Sequence, residues 1–112
     1  MTDFSELLKN PAAKLEASTL RERVRELTRK HQFEPGQLVT WKPELSNKRY
    51  PLKGQPAIVI EHYPTPILNL EEDAGSRYFR EPIDLLLGCL DPNGDFAIFH
   101  FDSRRFCPWT EG

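Results

Sequence analysis

The sequence predicts a mainly β protein in which one N-terminal α-helix packs against a small antiparallel barrel. Apolar residues follow a helical period only in the first third of the chain, and alternating or continuous apolar runs replace it after residue 36. The chain has 10 prolines among 112 residues, a high share that favours a loop-rich β fold. Its length suits one compact domain, which we divide into a helical segment at residues 1–32 and a barrel at residues 33–112.

The N-terminal helix is predicted from a start signal and from one apolar face. Asn10 precedes Pro11, which places a capping residue before a proline at the first helical position. The apolar face then follows spacings of three and four residues: Ala13, Ala17, Leu20, Val24, Leu27 and His31. Pro35 disfavours helix in the residue before it, so the helix is expected to stop nearby. This face can pack on the protein's own sheet or on a second copy of the chain.

The remainder of the chain contains β-strand patterns separated by loops. Residues 37–42 and 56–63 are predicted strands, the second rich in β-branched residues. Polar loops are expected at residues 43–55 and 64–82, and the later loop includes the acidic run at residues 71–73. Loops of this length in a small domain are often functional.

A β-hairpin is predicted around Asp91-Pro92-Asn93-Gly94, with arms near residues 83–90 and 96–101. Pro92 suits the second position of a type I turn, and Gly94 tolerates the positive φ that closes it. Neither arm has a polar face, so each side needs a cover. The barrel is expected to cover one side and the helix the other. A tight turn at residues 102–106 and a short last strand at residues 107–109 complete the prediction.

This strand pattern resembles the Src-homology-3-like small β-barrels. The resemblance rests on Phe33-Glu-Pro-Gly-Gln-Leu-Val-Thr-Trp41, in which an aromatic residue and Pro-Gly precede an alternating strand, as in bacterial members of that fold. Lys53-Gly-Gln-Pro-Ala-Ile-Val-Ile60 also resembles the turn and strand of the ribosome-associated KOW motif. The acidic-aromatic signature of the proline-binding eukaryotic members is absent, so that ligand class is not implied. The whole chain resembles uncharacterised small bacterial proteins, which implies no activity.

Bulk composition excludes several classes of protein. A net charge of −2 argues against a strongly cationic protein held to nucleic acid or membrane by its overall field. No apolar stretch approaches the length of a membrane span, and no secretory signal is visible at the N-terminus. Cys89 and Cys107 are too few for a disulfide scaffold. We therefore expect a soluble, reduced, cytoplasmic protein.

The sequence contains no pattern typical of an enzyme. His31, His62 and His100 are not in a catalytic or metal-binding spacing, and no Cys-x-x-Cys pair is present. Ser103 lacks a nucleophile elbow, and no glycine-rich phosphate loop occurs. We therefore predict no catalytic residue, no metal and no cofactor.

A binding function is better supported by the residue pattern. Cations and aromatics occur together in the first long loop and around the last turn, and such a mixture suits a protein partner, phosphates or stacked bases. The predicted binding residues are Trp41, Lys48, Arg49, Tyr50, Lys53, Arg104, Arg105 and Trp109. The leading hypothesis is a non-enzymatic module that binds a protein partner through its loops. The alternatives are association with nucleic acid or the ribosome, a homodimer formed through the helix, and arginines that merely hold the last turn.

Overall fold

The computed structural model describes residues 11–68 and 81–111. In chain order these residues form helix α1 at Pro11–Thr28, β1 at Leu38–Trp41, β2 at Ala57–Leu68, β3 at Pro82–Leu90 and β4 at Phe96–Phe101. A one-turn 3₁₀ helix at Ser103–Arg105 leads into β5 at Phe106–Pro108. The predictions of a mainly β chain and of an N-terminal helix are confirmed. Asn10 and residues 69–80, which include the predicted acidic loop, lie outside the described residues.

The strands form one antiparallel sheet in the order β4-β3-β2-β1-β5. Among the described residues this sheet does not close into a barrel, because β4 and β5 are its two edges and no ladder joins them, so the predicted Src-homology-3-like barrel is not confirmed. The β1 strand pairs with β5 over three residues and with β2 over two.

The core lies on one face of this curved sheet. Alternate residues of each strand point to it, as the period of two requires. Three aromatic rings form its centre: Trp41 stacks on Phe106 at 4.3 Å between ring centroids, and Phe101 meets both rings edge-on. The other buried apolar residues are Phe33, Val39, Leu45, Ala57, Val59, Leu85, Leu87 and Cys89.

The predicted hairpin turn is confirmed. The N–H of Gly94 donates to the carbonyl of Asp91, and Gly94 has a φ of 82°. The Asp91 carboxylate also accepts from the N–H groups of Asn93 and Asp95, both at 2.9 Å. This local network fixes the turn without contacts from the rest of the chain.

The expected cover for the second face of the hairpin is absent from the described residues. Phe96 and Ile98 are 59% and 53% exposed, although their strand carries no polar residue apart from His100. The ring of Phe96 instead lies over Gly88, so that a Cβ added to Gly88 would meet this ring. An aromatic side chain that covers a strand glycine gives this face a local cover of its own.

The prediction that α1 packs over the sheet is wrong. None of its described residues is buried, and Leu20 and Val24 in the apolar stripe are 60% and 58% exposed. The helix is held instead at its C-terminal end, where the buried ammonium of Lys42 donates to the carbonyls of Glu26 and Arg29. A cation at this end satisfies orphan carbonyls and complements the helix dipole. The helix is therefore held at one end rather than along a packed face. Its alanine-rich stripe offers little apolar surface for packing.

The second strand is longer than predicted. It continues to Leu68 and so includes residues 64–68, which were expected in a loop. After a register shift that follows His62, Ile67 and Leu68 pair with Ile83 and Pro82 at the start of β3. Among the described residues, no helix is both long and apolar enough to cross a membrane.

Candidate functional site

A groove of about 290 Å³ lies between the first long loop and the edge strand β4. Lys48, Arg49 and Tyr50 form the loop side, and Phe99, His100 and Phe101 form the strand side. The groove therefore combines two cations with an aromatic wall. It lies beside a strand whose outer edge pairs with no other strand in the part of the chain that the structure describes.

Hydrogen bonds from the core fix the loop that forms one side of the groove. The indole N–H of Trp41 donates to the carbonyl of Pro51, which follows a cis Tyr50–Pro51 peptide bond. The Thr40 hydroxyl donates to the carbonyl of Gln55, and the Gln55 side chain accepts from the N–H of Leu52. These bonds tie the C-terminal part of the loop to β1. Lys48, Arg49 and Tyr50 are thus presented by a braced loop.

The two cations in the groove have different electrostatic surroundings. The Lys48 ammonium lies 3.2 Å from a carboxylate oxygen of Glu81, donates to the carbonyl of His100 at 3.1 Å, and lies 5.2 Å from the Phe101 ring centroid. Arg49 is exposed, and its guanidinium lies 5.3 Å from the ring centroid of Tyr50. Within residues 11–68 and 81–111, no carboxylate forms an ion pair with Arg49. Arg49 is therefore the cation in the groove that is open to an anionic partner.

The strand side of the groove presents exposed aromatic surface. Phe99 is 46% exposed although its neighbour on the same face, Phe101, is fully buried. The two rings meet edge-on at 6.3 Å, so Phe99 extends the core outward to the edge of the sheet. His100 points to the other face and stacks with Tyr63 at 6.1 Å. An exposed phenylalanine beside an unpaired arginine suits a partner that supplies both apolar surface and negative charge.

A second, larger hollow of about 450 Å³ contains a polar cluster centred on Asp84. The Asp84 carboxylate accepts from the N–H of Ser103 at 2.7 Å and from the Ser103 hydroxyl at 2.6 Å, and it lies 3.3 Å from Nε2 of His62. The other ring nitrogen of His62 accepts from the N–H of Phe33. In its neutral form, His62 therefore carries its hydrogen on Nε2 and donates to Asp84.

This polar cluster has a structural role. Asp84 ties β3 to the start of the 3₁₀ helix, and His62 ties β2 to the segment before β1. The Ser103 hydroxyl gives its hydrogen to Asp84 rather than to His62, so the contact that activates a serine nucleophile is missing. The sequence did not indicate this cluster, because the pairing of β2 with β3 brings together residues 22 positions apart.

The structure brings only some of the predicted binding residues together. Trp41 is buried in the core, and Trp109 is half-buried just beyond β5, the other edge of the sheet. Lys53 is exposed in a turn outside the groove lining. Lys48, Arg49 and Tyr50 line the groove together with β4, which contains none of the predicted binding residues. The apolar residues of β4 on both faces are its only sequence feature that could indicate a binding strand, and the same feature also indicates a strand packed in the core.

The two arginines of the last turn make contacts within the protein. Arg104 forms a two-pronged ion pair with the buried carboxylate of Asp102, with a shortest distance of 2.8 Å. This bond raises the pKa of Arg104, so its charge is fixed at any physiological pH. Arg105 donates to the carbonyl of Leu45, and its own carbonyl accepts from the N–H of Lys42. Both arginines hold the turn that leads into β5.

The cysteines are both free thiols. Burial raises the pKa of Cys89, and the nearby Asp91 carboxylate raises it further. Burial is also the main reason that the pKa of Cys107 is raised. A raised pKa keeps a thiol protonated and unreactive at neutral pH. Within the described residues, no group of three or more His, Cys, Asp or Glu side chains is arranged to hold a metal ion.

Comparisons with protein-family models, with curated proteins and with solved structures find no match to this chain.

Proposed function

We propose that this protein is a non-enzymatic protein-binding module whose groove between the first long loop and β4 holds an acidic segment with an adjacent apolar side chain. The observation that carries the proposal is that the exposed side chains of Phe99 and Arg49 line the same groove. The ring offers apolar surface, and Arg49 attracts a carboxylate. Aromatic and arginine side chains are the residue types that most often dominate binding energy at protein interfaces.

The organisation of the groove also favours a protein partner. Its loop is braced by the Trp41 indole and its strand is part of the sheet, so little conformational entropy is lost when a ligand binds. The aromatic surface at Phe99 is exposed. Two of the cations that a nucleic acid would require instead form ion pairs within the protein. Lys48 pairs with Glu81 and Arg104 pairs with Asp102. Association with nucleic acid is therefore the weaker proposal.

We also propose that the fold is an opened relative of the Src-homology-3-like class. Its linear order β4-β3-β2-β1-β5 and the single 3₁₀ turn before β5 support this assignment. Fold alone does not identify a ligand, so the groove and its residues remain the basis for the proposed function.

Selection of binders from a library of random peptides tests the proposal. We expect the selected peptides to share an Asp or Glu next to an apolar residue. Fluorescence anisotropy with one selected peptide should then show at least about tenfold weaker binding to Arg49→Glu, because reversal of the charge turns attraction into repulsion. Phe99→Ser should weaken binding to a similar extent through the loss of an exposed aromatic contact.

Lys53→Glu is the matched control for charge. It makes the same change in net charge, in the same loop, at an exposed lysine outside the groove. Affinity should change little in this variant. Equal losses in Lys53→Glu and Arg49→Glu would contradict a defined groove. Binding of a single-stranded oligonucleotide whose affinity falls steeply with salt would instead favour the nucleic-acid proposal.

A further inference from the structure

The first four residues of the edge strand β4 lack the features that usually protect a sheet edge, whereas Lys48 occupies the carbonyl of His100 at the other end. Among the described residues, β4 pairs with β3 on one side only, and its sequence Phe-Ala-Ile-Phe-His-Phe has no proline and no acidic, lysine or arginine residue. Phe96, Ile98 and Phe99 are exposed, and they lie on both faces of the strand. Natural sheets usually protect such an edge with charge, proline or a covering element. The part of this edge at residues 96–99 is therefore a site for pairing with another strand.

The hairpin turn determines which backbone groups face this open edge. The N–H of Asp91 donates to the carbonyl of Asp95, which sets the phase of the β3–β4 ladder. Hydrogen-bonded and non-hydrogen-bonded pairs alternate in an antiparallel ladder. The N–H and C=O groups of Phe96, Ile98 and His100 therefore point away from β3. The hydrogen bond from Lys48 to the His100 carbonyl agrees with this phase.

From this edge we infer that a second copy of the chain docks on β4, so that the two β4 strands pair antiparallel about a two-fold axis near Ala97, which places Phe96 of each copy opposite Ile98 of the other. The inference rests on the proposed function, since it names a partner for the groove beside β4. Pairing joins the two five-stranded sheets into one and satisfies backbone groups of Phe96 and Ile98 in both copies. Such a contact is isologous and therefore closed.

The charges at the two ends of β4 favour this partner and this direction. The exposed Asp95 precedes the strand at the acidic hairpin tip, and Arg49 lies beside its other end. Antiparallel pairing brings Asp95 of each copy towards Arg49 of the other, so the attraction occurs twice. A parallel arrangement would place like charges together. The tip also supplies what the groove is proposed to hold, since Asp95 is followed at once by Phe96.

The apolar residues of β4 gain cover in the same arrangement. On one face, Phe96 and Ile98 of the two copies lie side by side across the axis. On the other face, Phe99 of each copy lies near Ala97 of its partner, where cross-strand neighbours make contact. The pairing therefore covers the three exposed apolar side chains of β4, which are 59%, 53% and 46% exposed in the single chain.

A charge exchange measured by sedimentation equilibrium tests the inference. The wild-type chain should approach about twice its mass of 13.0 kDa as concentration rises. Arg49→Asp and Asp95→Arg should each weaken the dimer by at least about tenfold, because each change replaces two attractive pairs with two repulsive pairs. The double variant Arg49→Asp/Asp95→Arg should recover most of the wild-type affinity. Both side chains are exposed, so folding is preserved.

A variant of the edge and a variant of the helix make the test specific. Ile98→Pro removes an open-edge N–H while the β3–β4 hydrogen bonds remain, and it should abolish the dimer. Val24→Lys, in the exposed stripe of α1, should leave the dimer intact. A mass of one chain at every concentration would overturn the inference, as would a dimer lost in Val24→Lys and kept in Ile98→Pro. If a monomeric chain still binds the selected acidic peptides, the proposed function stands without this partner.

Discussion

Removal of the Asp84 carboxylate is predicted to cause a large loss of stability. The Asp84 carboxylate makes three contacts that Asp84→Ala removes. It accepts from the N–H of Ser103 at 2.7 Å and from the Ser103 hydroxyl at 2.6 Å, and it lies 3.3 Å from Nε2 of His62. Hydrogen bonds to a charged group contribute about 1.5–3 kcal/mol each. The side chain is only 14% exposed, so its removal also relieves a desolvation penalty that offsets part of this loss. We expect a net decrease of about 3 kcal/mol in the free energy of unfolding.

Urea unfolding followed by fluorescence measures this change, since Trp41 is buried in the core. The dependence of the unfolding free energy on urea should stay constant in all variants, because the surface exposed on unfolding is similar. Ser103→Ala removes only the hydroxyl bond and should cost about 1.5 kcal/mol. Asp84→Asn keeps an acceptor for the Ser103 N–H, so its loss in the free energy of unfolding should lie between the losses for Ser103→Ala and Asp84→Ala.

The double variant Asp84→Ala/Ser103→Ala provides the decisive comparison. Because the two residues share a bond, their losses should fall short of additivity by about 1 kcal/mol. Full additivity, or a loss below about 1 kcal/mol in Asp84→Ala, would refute the idea that this carboxylate holds the 3₁₀ turn to the sheet.

Two further predictions concern the helix anchor and pH. Lys42→Met should lower the free energy of unfolding by about 2 kcal/mol, because the carbonyls of Glu26 and Arg29 lose their buried cation. The helical circular-dichroism signal should also decrease. An unchanged helical signal would contradict the role of Lys42 as the anchor of the helix. Burial, followed by the charges of Lys42 and Arg29, lowers the pKa of His31 below its ordinary value of 6.5. The unfolded chain then binds the proton more readily, so the contribution of His31 to stability is complete above pH 6.5 and decreases as the pH falls from 6.5 towards the folded-state pKa. An NMR titration should place His31 below 6.5, and His31→Gln should remove this part of the pH dependence; a pKa at or above 6.5 would refute it.

Local patterns predicted those parts of the fold that depend on neighbouring residues. The hairpin turn follows from Asp91, Pro92 and Gly94 alone, since its hydrogen bonds lie within five residues. The position of β1 is equally local. The extension of β2 through Pro64 and Pro66 was not predictable in this way, because it depends on pairing with the start of β3.

The candidate site was predictable only on one side. Lys48, Arg49 and Tyr50 were identified by the cations and aromatic residue of the first loop, whereas Phe99 and His100 were assigned to a covered hairpin. Whether an apolar strand is covered depends on where distant elements lie. The helix contacts the rest of the protein through Lys42 and does not cover the hairpin. Phe99, which was expected in the core, is therefore exposed and forms one wall of the groove.

The sequence by itself determined the division into a helix followed by strands, the hairpin and its turn, and the cationic loop, because each depends on residue types at short separations. The tertiary structure alone decided that the sheet stays open, that Arg104 and Arg105 are held within the protein, and that β4 is an exposed edge. These outcomes depend on contacts between residues far apart in the chain. The decisive ones are the hydrogen bonds to the carboxylates of Asp102 and Asp84 and the strand pairing that leaves β4 at one edge of the described sheet.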